Sequence, residues 1–372
     1  MRIAVVGTYG VKCGIATYAN HLVQELAKQH EVMVFAEDYV CGNELLDFLS
    51  DVKIVRCFSR NSQSSTLLKE LQAFAPDIVH IQHEYGIFGA LRHELDKVAM
   101  AFEGRIIVTL HTVVPIVEGI VFDMPRSVAC YVVHNSFAKN HLVEKDGIAA
   151  NKVAVIGHGT LILPPMDKSE ARQRFDLPQE SKIILSHSFI EKRKNIDKIM
   201  MATSLLKDEL PIYYVHAGGL HPNSIGKDMQ DAQSLLQLPR KLNIEPWVRI
   251  VAAFINEDDL ACYLSAADII IVMEDSTFPE FRASGIMHTV VPGKAVIASD
   301  IPEFNEFPND AVYKVSLDEN ALSKAIKEIL LHPDLADRLA QSLLRYANDT
   351  SWQSTAVEHI QLYQKVLQQA HE

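Results

Sequence analysis

LILPPMDKSEARQRFDLPQESK, residues 161–182, decides the fold, because it interrupts one pattern and is followed by a second round of it. Upstream, short apolar runs alternate with segments of helical periodicity: RIAVV (2–6), EVMVFA (31–36), VKIVR (52–56), DIVHIQ (77–82), RIIVTL (105–110), ACYVVH (129–134) and KVAVIG (152–157). Runs of this length with no polar alternation indicate parallel strands buried on both faces. The Pro-containing stretch then reads as an interdomain linker with a short helix. Downstream the pattern restarts with KIILSHS (182–188), IYYVHAGG (212–219), VRIVAAF (248–254), DIIIVM (268–273), KAVIAS (294–299) and AVYKV (311–315). Two α/β series in tandem predict two doubly wound, Rossmann-like domains facing each other across a cleft, spanning 1–165 and 175–350. The remaining segment (351–372) places Trp352, Ala356, Ile360, Tyr363 and Leu367 at helical spacing behind a capping Ser351, and is expected to pack back on the first domain.

Composition narrows the function classes. A chain of 372 residues with 48% hydrophobic and 22% charged residues is globular and long enough for two domains. Its 47 acidic against 35 basic residues give a formal charge of −12, which argues against general nucleic-acid binding. No apolar stretch approaches the roughly 20 residues of a membrane span. The N-terminus opens on a strand and carries no signal-like segment, so the expected location is the cytoplasm, with peripheral attachment to the inner face of the membrane left open. Cys13, Cys41, Cys57, Cys130 and Cys262 are dispersed and never in C-x-x-C spacing, which reads as reduced thiols.

Candidate chemistry collects at strand ends. EFRASGIMH (280–288) begins with a carboxylate, turns at Ser284-Gly285 into a short helix, and runs into the strand ending at Asp300. A helix N-terminus there presents unpaired N–H groups to an anionic diphosphate, and Glu280 is placed to accept hydrogen bonds from sugar hydroxyls. GTYGVKCG (7–14) lets the backbone approach a ligand but lacks the G-x-G-x-x-G spacing of dinucleotide binders; alone it equally describes a tight strand-to-helix turn. In VHIQHEYGIFGA (79–90), His83 and Glu84 read either as an acid–base pair or as a buried histidine beside a turn cap. RIIVTLHTVVP (105–115) delivers His111 to the same sheet edge, where a neutral imidazole can bond a sugar hydroxyl or serve structure. Within SHSFIEKRKNIDKIMMA (186–202), the basic run is either an anion site or a solvated charge cluster. No D-x-D pair or metal-ligand spacing is present, and Glu257-Asp-Asp259 reads as an acidic helix start.

Taken together and in order, these strings resemble glycosyltransferase family 4, a group of retaining, nucleotide-sugar-dependent enzymes of the GT-B fold. CGIA (13–16), QHEYGIFG (82–89), LHT (110–112), the Lys194 segment and Glu280 with its following strand carry the resemblance. It implies metal-independent transfer of a hexose-type sugar from a UDP- or GDP-sugar to a glycan, lipid-linked or other hydroxyl acceptor, as in polysaccharide biosynthesis, with no cofactor beyond the donor. It implies that Glu280 positions the donor sugar, His111 lines its face, Gly14 belongs to the acceptor-side loop, and Lys194 with the Ser284 and Gly285 amides holds the diphosphate. His158-Gly159 matches a hinge-side turn. Five positions depart: Phe189 stands where many members have arginine, with Lys192 or Arg193 left to compensate; Ser188 and Asn195 replace glycines; Gly157 stands in place of a proline; and His288 replaces the second glutamate, which grips the ribose. A neutral histidine has one acceptor nitrogen where a carboxylate has two oxygens. Two rivals stay open: a GT-B protein that binds a nucleotide sugar or glycan with weak or no catalysis, and an oxidoreductase using Glu37-Asp38 as its ribose-binding acid.

Overall fold

The structure, a computed structural model, describes residues 1–38, 52–60, 65–88, 91–113, 127–220, 226–275 and 289–371. The described residues form two compact units, residues 1–159 with 350–371, and residues 160–275 with 289–349.

The first unit is built on seven parallel strands: β1 (Arg2–Gly7), β2 (Glu31–Glu37), β3 (Lys53–Phe58), β4 (Ile78–His83), β5 (Ile106–Leu110), β6 (Cys130–Val133) and β7 (Val153–Val155), in the order β3-β2-β1-β4-β5-β6-β7. The order reverses between β1 and β4, so both strands end at a topological switch point, where open parallel sheets leave room for ligands. Helices α1 (Gly14–Ala27), α2 (Leu67–Phe74), α3 (Tyr85–Phe88), α4 (Arg92–Ala101) and α5 (Ser136–Glu144) connect these strands.

The second unit repeats the design. After β8 (Leu161–Ile162) and α6 (Lys168–Arg174) come β9 (Lys182–His187), α7 (Ile196–Leu206), β10 (Ile212–Ala217), α8 (Lys227–Lys241), β11 (Val248–Val251), α9 (Glu257–Ala266), β12 (Ile269–Val272), β13 (Thr289–Val290), β14 (Ala295–Ser299), β15 (Tyr313–Val315), α10 (Glu319–Leu331) and α11 (Pro333–Asp349). The main sheet runs β11-β10-β9-β12-β14-β15 and switches between β9 and β12. Alternate residues of one strand enter different cores: Ile183 and Leu185 pack in one, Ile184 in the other. Such two-sided burial is why these strands carry no polar alternation.

One feature differs from the sequence reading. The stretch 161–182 is no linker: β8 pairs in parallel with β13, and α6 is fastened to the second unit. Arg172, 4% exposed, donates to Ala266 O (3.1 Å), Gln179 O (2.5 Å) and Asp268 Oδ2 (2.8 Å), while Asp268 also accepts from Ile183 N (2.7 Å). Among the described residues the chain passes between units at 159/160 and at 349/350, and α12 (Trp352–His371) belongs to the first unit, as expected. There the Tyr363 hydroxyl meets His80 Nδ1 at 2.7 Å, and Trp352 packs on Tyr18 and His21 of α1. Asn256 caps α9 by accepting from Asp259 N (2.8 Å), so the Glu257–Asp259 run is the acidic first turn of a helix.

Candidate functional site

In the second unit, the loop after β9 carries the Lys194 segment to the switch point. Glycine is obligatory opposite it: Gly218 has φ +154°, and a Cβ there would lie 1.8 Å from Ser188 O. Ile190 N donates to Gly219 O (2.9 Å), fastening the loop to the end of β10. Lys192–Lys194 form one 3-10 turn, and Asn195 follows at φ 46°, in the left-handed region. That conformation explains the family's glycine here and why asparagine, the non-glycine residue that tolerates it best, can replace it.

Lys194 is buried. Its ammonium donates to Glu274 Oε1, just beyond β12, while Arg193 Nη1 lies 3.5 Å from Glu274 Oε2 and Arg193 Nε 2.7 Å from Glu191. Burial pulls the Lys194 pKa down and the Glu274 carboxylate opposes it, so the ion pair is what keeps the charge in place. Glu274 N donates to Ser299 Oγ at the end of β14 (3.0 Å), and Asp275 N to Arg193 O (3.1 Å). His187, at the end of β9, is pushed down to about 4 by burial and then by Lys194. Glu303, also buried, has its pKa raised by burial and by Glu274 and Asp275. The basic run is thus a partly buried ion-pair network, with Lys192 as its exposed member. The sequence reading passed over Glu274 and Glu303, although each follows closely on an apolar strand run. Glu280, Ser284, Gly285 and His288 lie outside the described residues.

In the first unit, His111 follows β5 and its ring is held on both sides. Nε2 lies 2.9 Å from Gln82 Oε1, Nδ1 lies 3.4 Å from His134 Nε2, and the Tyr18 ring meets it edge-on at 4.9 Å between centroids. Burial, then the neighbouring His134, holds its pKa well below the ordinary histidine value, so the ring is neutral at physiological pH. Of the two readings of His83-Glu84, the structure shows the structural one. His83 is buried, stacked on Phe88 and pushed down to about 4, while Glu84 accepts from Gly86 N (2.5 Å) to shape the turn. Gly14 opens α1, and a Cβ there would meet nothing within 4 Å; Gly10 has φ +69°. His158 Nδ1 lies 3.3 Å from Gly159 O, and Gly159 itself lies against Trp352. Glu37 holds Arg60 in a bidentate ion pair (2.5 and 2.6 Å), so this carboxylate is already engaged where a dinucleotide enzyme would offer it to ribose. Among the described residues no group of three His, Cys, Asp or Glu side chains could hold a metal ion, and no helix is long and apolar enough to cross a membrane.

Two doubly wound parallel sheets, each with ionic or imidazole groups at its switch point, define an α/β protein of the GT-B fold. The model described as "Glycosyltransferase Family 4" matches residues 13–160, and that described as "Glycosyl transferases group 1" matches 167–343. The chain belongs to glycosyltransferase family 4. It is 25% identical over 322 residues to the O-antigen biosynthesis glycosyltransferase WclY of Escherichia coli, covering 82% of each chain. It is 23% identical over 215 residues to a D-inositol 3-phosphate glycosyltransferase of Nocardioides sp., a match that takes in 55% of this chain and 46% of that protein. The chain thus spans about half the length of the curated relatives of that name. Among solved structures, Anabaena Alr3699/HepE in complex with UDP-glucose superposes with a TM-score of 0.71 at 13% identity, over 97% of this chain and 99% of that one.

Proposed function

We propose that this protein is a retaining, metal-independent glycosyltransferase that moves a hexose-type sugar from a nucleoside diphosphate sugar to a hydroxyl of a glycan or lipid-linked acceptor, with no cofactor besides its donor. The observation that carries the reading is the buried Lys194 at the switch point of the second sheet. A lysine kept charged there by Glu274 is a preorganised cation for a leaving diphosphate, and it costs no reorganisation when negative charge develops. The exposed Lys192 beside it adds to the local positive field. Ser284 and Gly285 would supply backbone N–H groups, Glu280 would orient the donor sugar, and His288 would face the ribose. His111 of the first unit would line the sugar, and Gly14 the acceptor side. Family 4 membership and the UDP-glucose bound to the Anabaena protein support a nucleotide-sugar donor and make UDP-sugars the first to test.

The deciding experiment treats the protein with EDTA and follows UDP- and GDP-sugar consumption with glycan acceptors, reading the anomeric configuration of the product. Metal-free turnover with retention is expected. A donor that binds but is never consumed would overturn the catalytic reading in favour of a binding protein, and inversion would overturn the mechanism.

A further inference from the structure

Gln82 is fully buried on β4, at the switch point of the first sheet, with its amide between two imidazoles, one end toward His111 and the other 3.2 Å from His80 Nε2. Gly7 makes its place, since a Cβ at that position of β1 would lie 3.0 Å from Gln82 Cβ. Its amide reaches His111 Nε2 at 2.9 Å, and His111 Nδ1 reaches His134 Nε2 at 3.4 Å. His134 Nδ1 in turn lies 3.2 Å from Ile156 O. The line therefore ends in a carbonyl, which accepts and cannot donate.

Counting protons along it decides the tautomers. Ile156 O requires a proton on His134 Nδ1, so a neutral His134 turns a bare Nε2 toward His111. His111 must then carry its proton on Nδ1, which leaves Nε2 bare and in need of a donor. The Gln82 amide supplies one: its oxygen and NH2 have nearly the same shape, and a half turn about its last bond exchanges them, setting the oxygen to accept from a protonated His80 Nε2 while the Tyr363 hydroxyl donates to His80 Nδ1 (2.7 Å). With the oxygen facing the ring, both ends of the line would only accept. The two imidazoles would then need three protons, one more than neutral rings carry. Burial, with His134, His80 and His83 adjacent and Tyr18 packed on the ring from α1, disfavours that extra charge.

We propose that Gln82 and His134 are positioning residues that hold the His111 imidazole by both nitrogens, presenting one fixed tautomer, with its proton on Nδ1, to the donor sugar. This rests on the reading of His111 as a wall of the donor site. It adds that His111 orients the donor and does not act as a general acid or base, because neither ring nitrogen is left to exchange a proton with substrate.

The test pairs side-chain 15N shifts of His111 with donor kinetics in wild type, Gln82→Glu and Gln82→Leu. Wild type should show one neutral tautomer, Nδ1 protonated, that does not titrate between about pH 5 and 8. Gln82→Glu puts an acceptor-only carboxylate against Nε2, so His111 should become doubly protonated and titrate within that range. Gln82→Leu is neutral and of similar size, which keeps the test open should the buried glutamate unfold the chain. It should lower kcat on the order of 10- to 100-fold through loss of orientation, with KM for the donor changed less than about twofold. An Nε2-protonated or freely titrating His111 in wild type, or shifts unmoved by Gln82→Glu, would overturn the clamp. A clamp confirmed by its shifts but with unaltered turnover in Gln82→Leu would instead overturn the placing of His111 at the donor.

Discussion

Lys194 shows how much a single residue's meaning depends on its partners. As one of three consecutive basic residues it could be a solvated charge, but the fold buries it and binds it to Glu274. Charge-assisted contacts of this kind contribute about 1.5–3 kcal/mol. Lys194→Ala is expected to weaken nucleoside diphosphate binding by about that amount while leaving nucleoside affinity nearly unchanged, since only the diphosphate places charge beside the ammonium. Calorimetric titration of both ligands checks it, and equal losses would mean that the ion pair is purely structural. His111 and Glu84 make the same point in different directions. The first keeps its ring at the sheet edge, whereas the second spends its carboxylate on Gly86 N.

At the scale of elements, α6 carries the largest departure from the sequence reading. A proline-bounded polar segment has the composition of a linker, yet Arg172 and Asp268 fix it to β9, β12 and α9. Removing one partner of a buried pair leaves the other uncompensated, at a cost of about 3–5 kcal/mol. Arg172→Leu should lower the stability of the second unit by that order, read by the fluorescence of Trp247 during urea unfolding; a loss below about 1 kcal/mol would show that Lys168, 2.5 Å from Asp268, suffices alone. Lys294, which begins β14's approach, donates to Ser265 O (2.6 Å) and Ala267 O (2.7 Å) at the end of α9. Burial, then Lys168, brings its pKa down to about 8 from the ordinary 10.5. The folded state therefore binds fewer protons than the unfolded one between these values, so charging Lys294 costs stability below pH 8 and that cost is relieved as pH rises. The stability of wild type relative to Lys294→Met should climb across this window, and a flat difference in melting temperature would refute the assignment.

Over the whole molecule, the chain's end completes its beginning. Trp352, at the start of α12, packs against Tyr18 of α1 and against the turn at Gly159, where a Cβ would lie 2.3 Å from the indole. Gly159→Ala must displace that ring, and overpacking of this kind costs about 1–3 kcal/mol. The two tryptophans report on different units, Trp352 on the first and Trp247 on the second. In Gly159→Ala, Trp352 emission should shift to the red and the first unit should unfold earlier, while Trp247 keeps its wild-type transition. A simultaneous shift of both would show that the effect is not confined to the first unit.

The strands of the two main sheets, seven before residue 160 and six after it, the acidic start of α9 and the closing helix were legible in the sequence, because period and apolar run length are local properties that burial on two faces imposes directly; the two-residue β8 and β13 were too short to show. Asn195 was legible as a special position through the family glycine it replaces, since left-handed backbone selects residue type, whereas the crowding at Gly218 was not. Only the tertiary structure decided what depends on residues distant in sequence: the pairing of Lys194 with Glu274, 80 residues away, the capture of α6 by Asp268, and the burial of Gln82 beside His111. Charge and hydrogen-bonding capacity are written in the chain, but whether they are spent on protein or kept for a ligand is settled by which side chains the folded sheets bring within about 3 Å of one another.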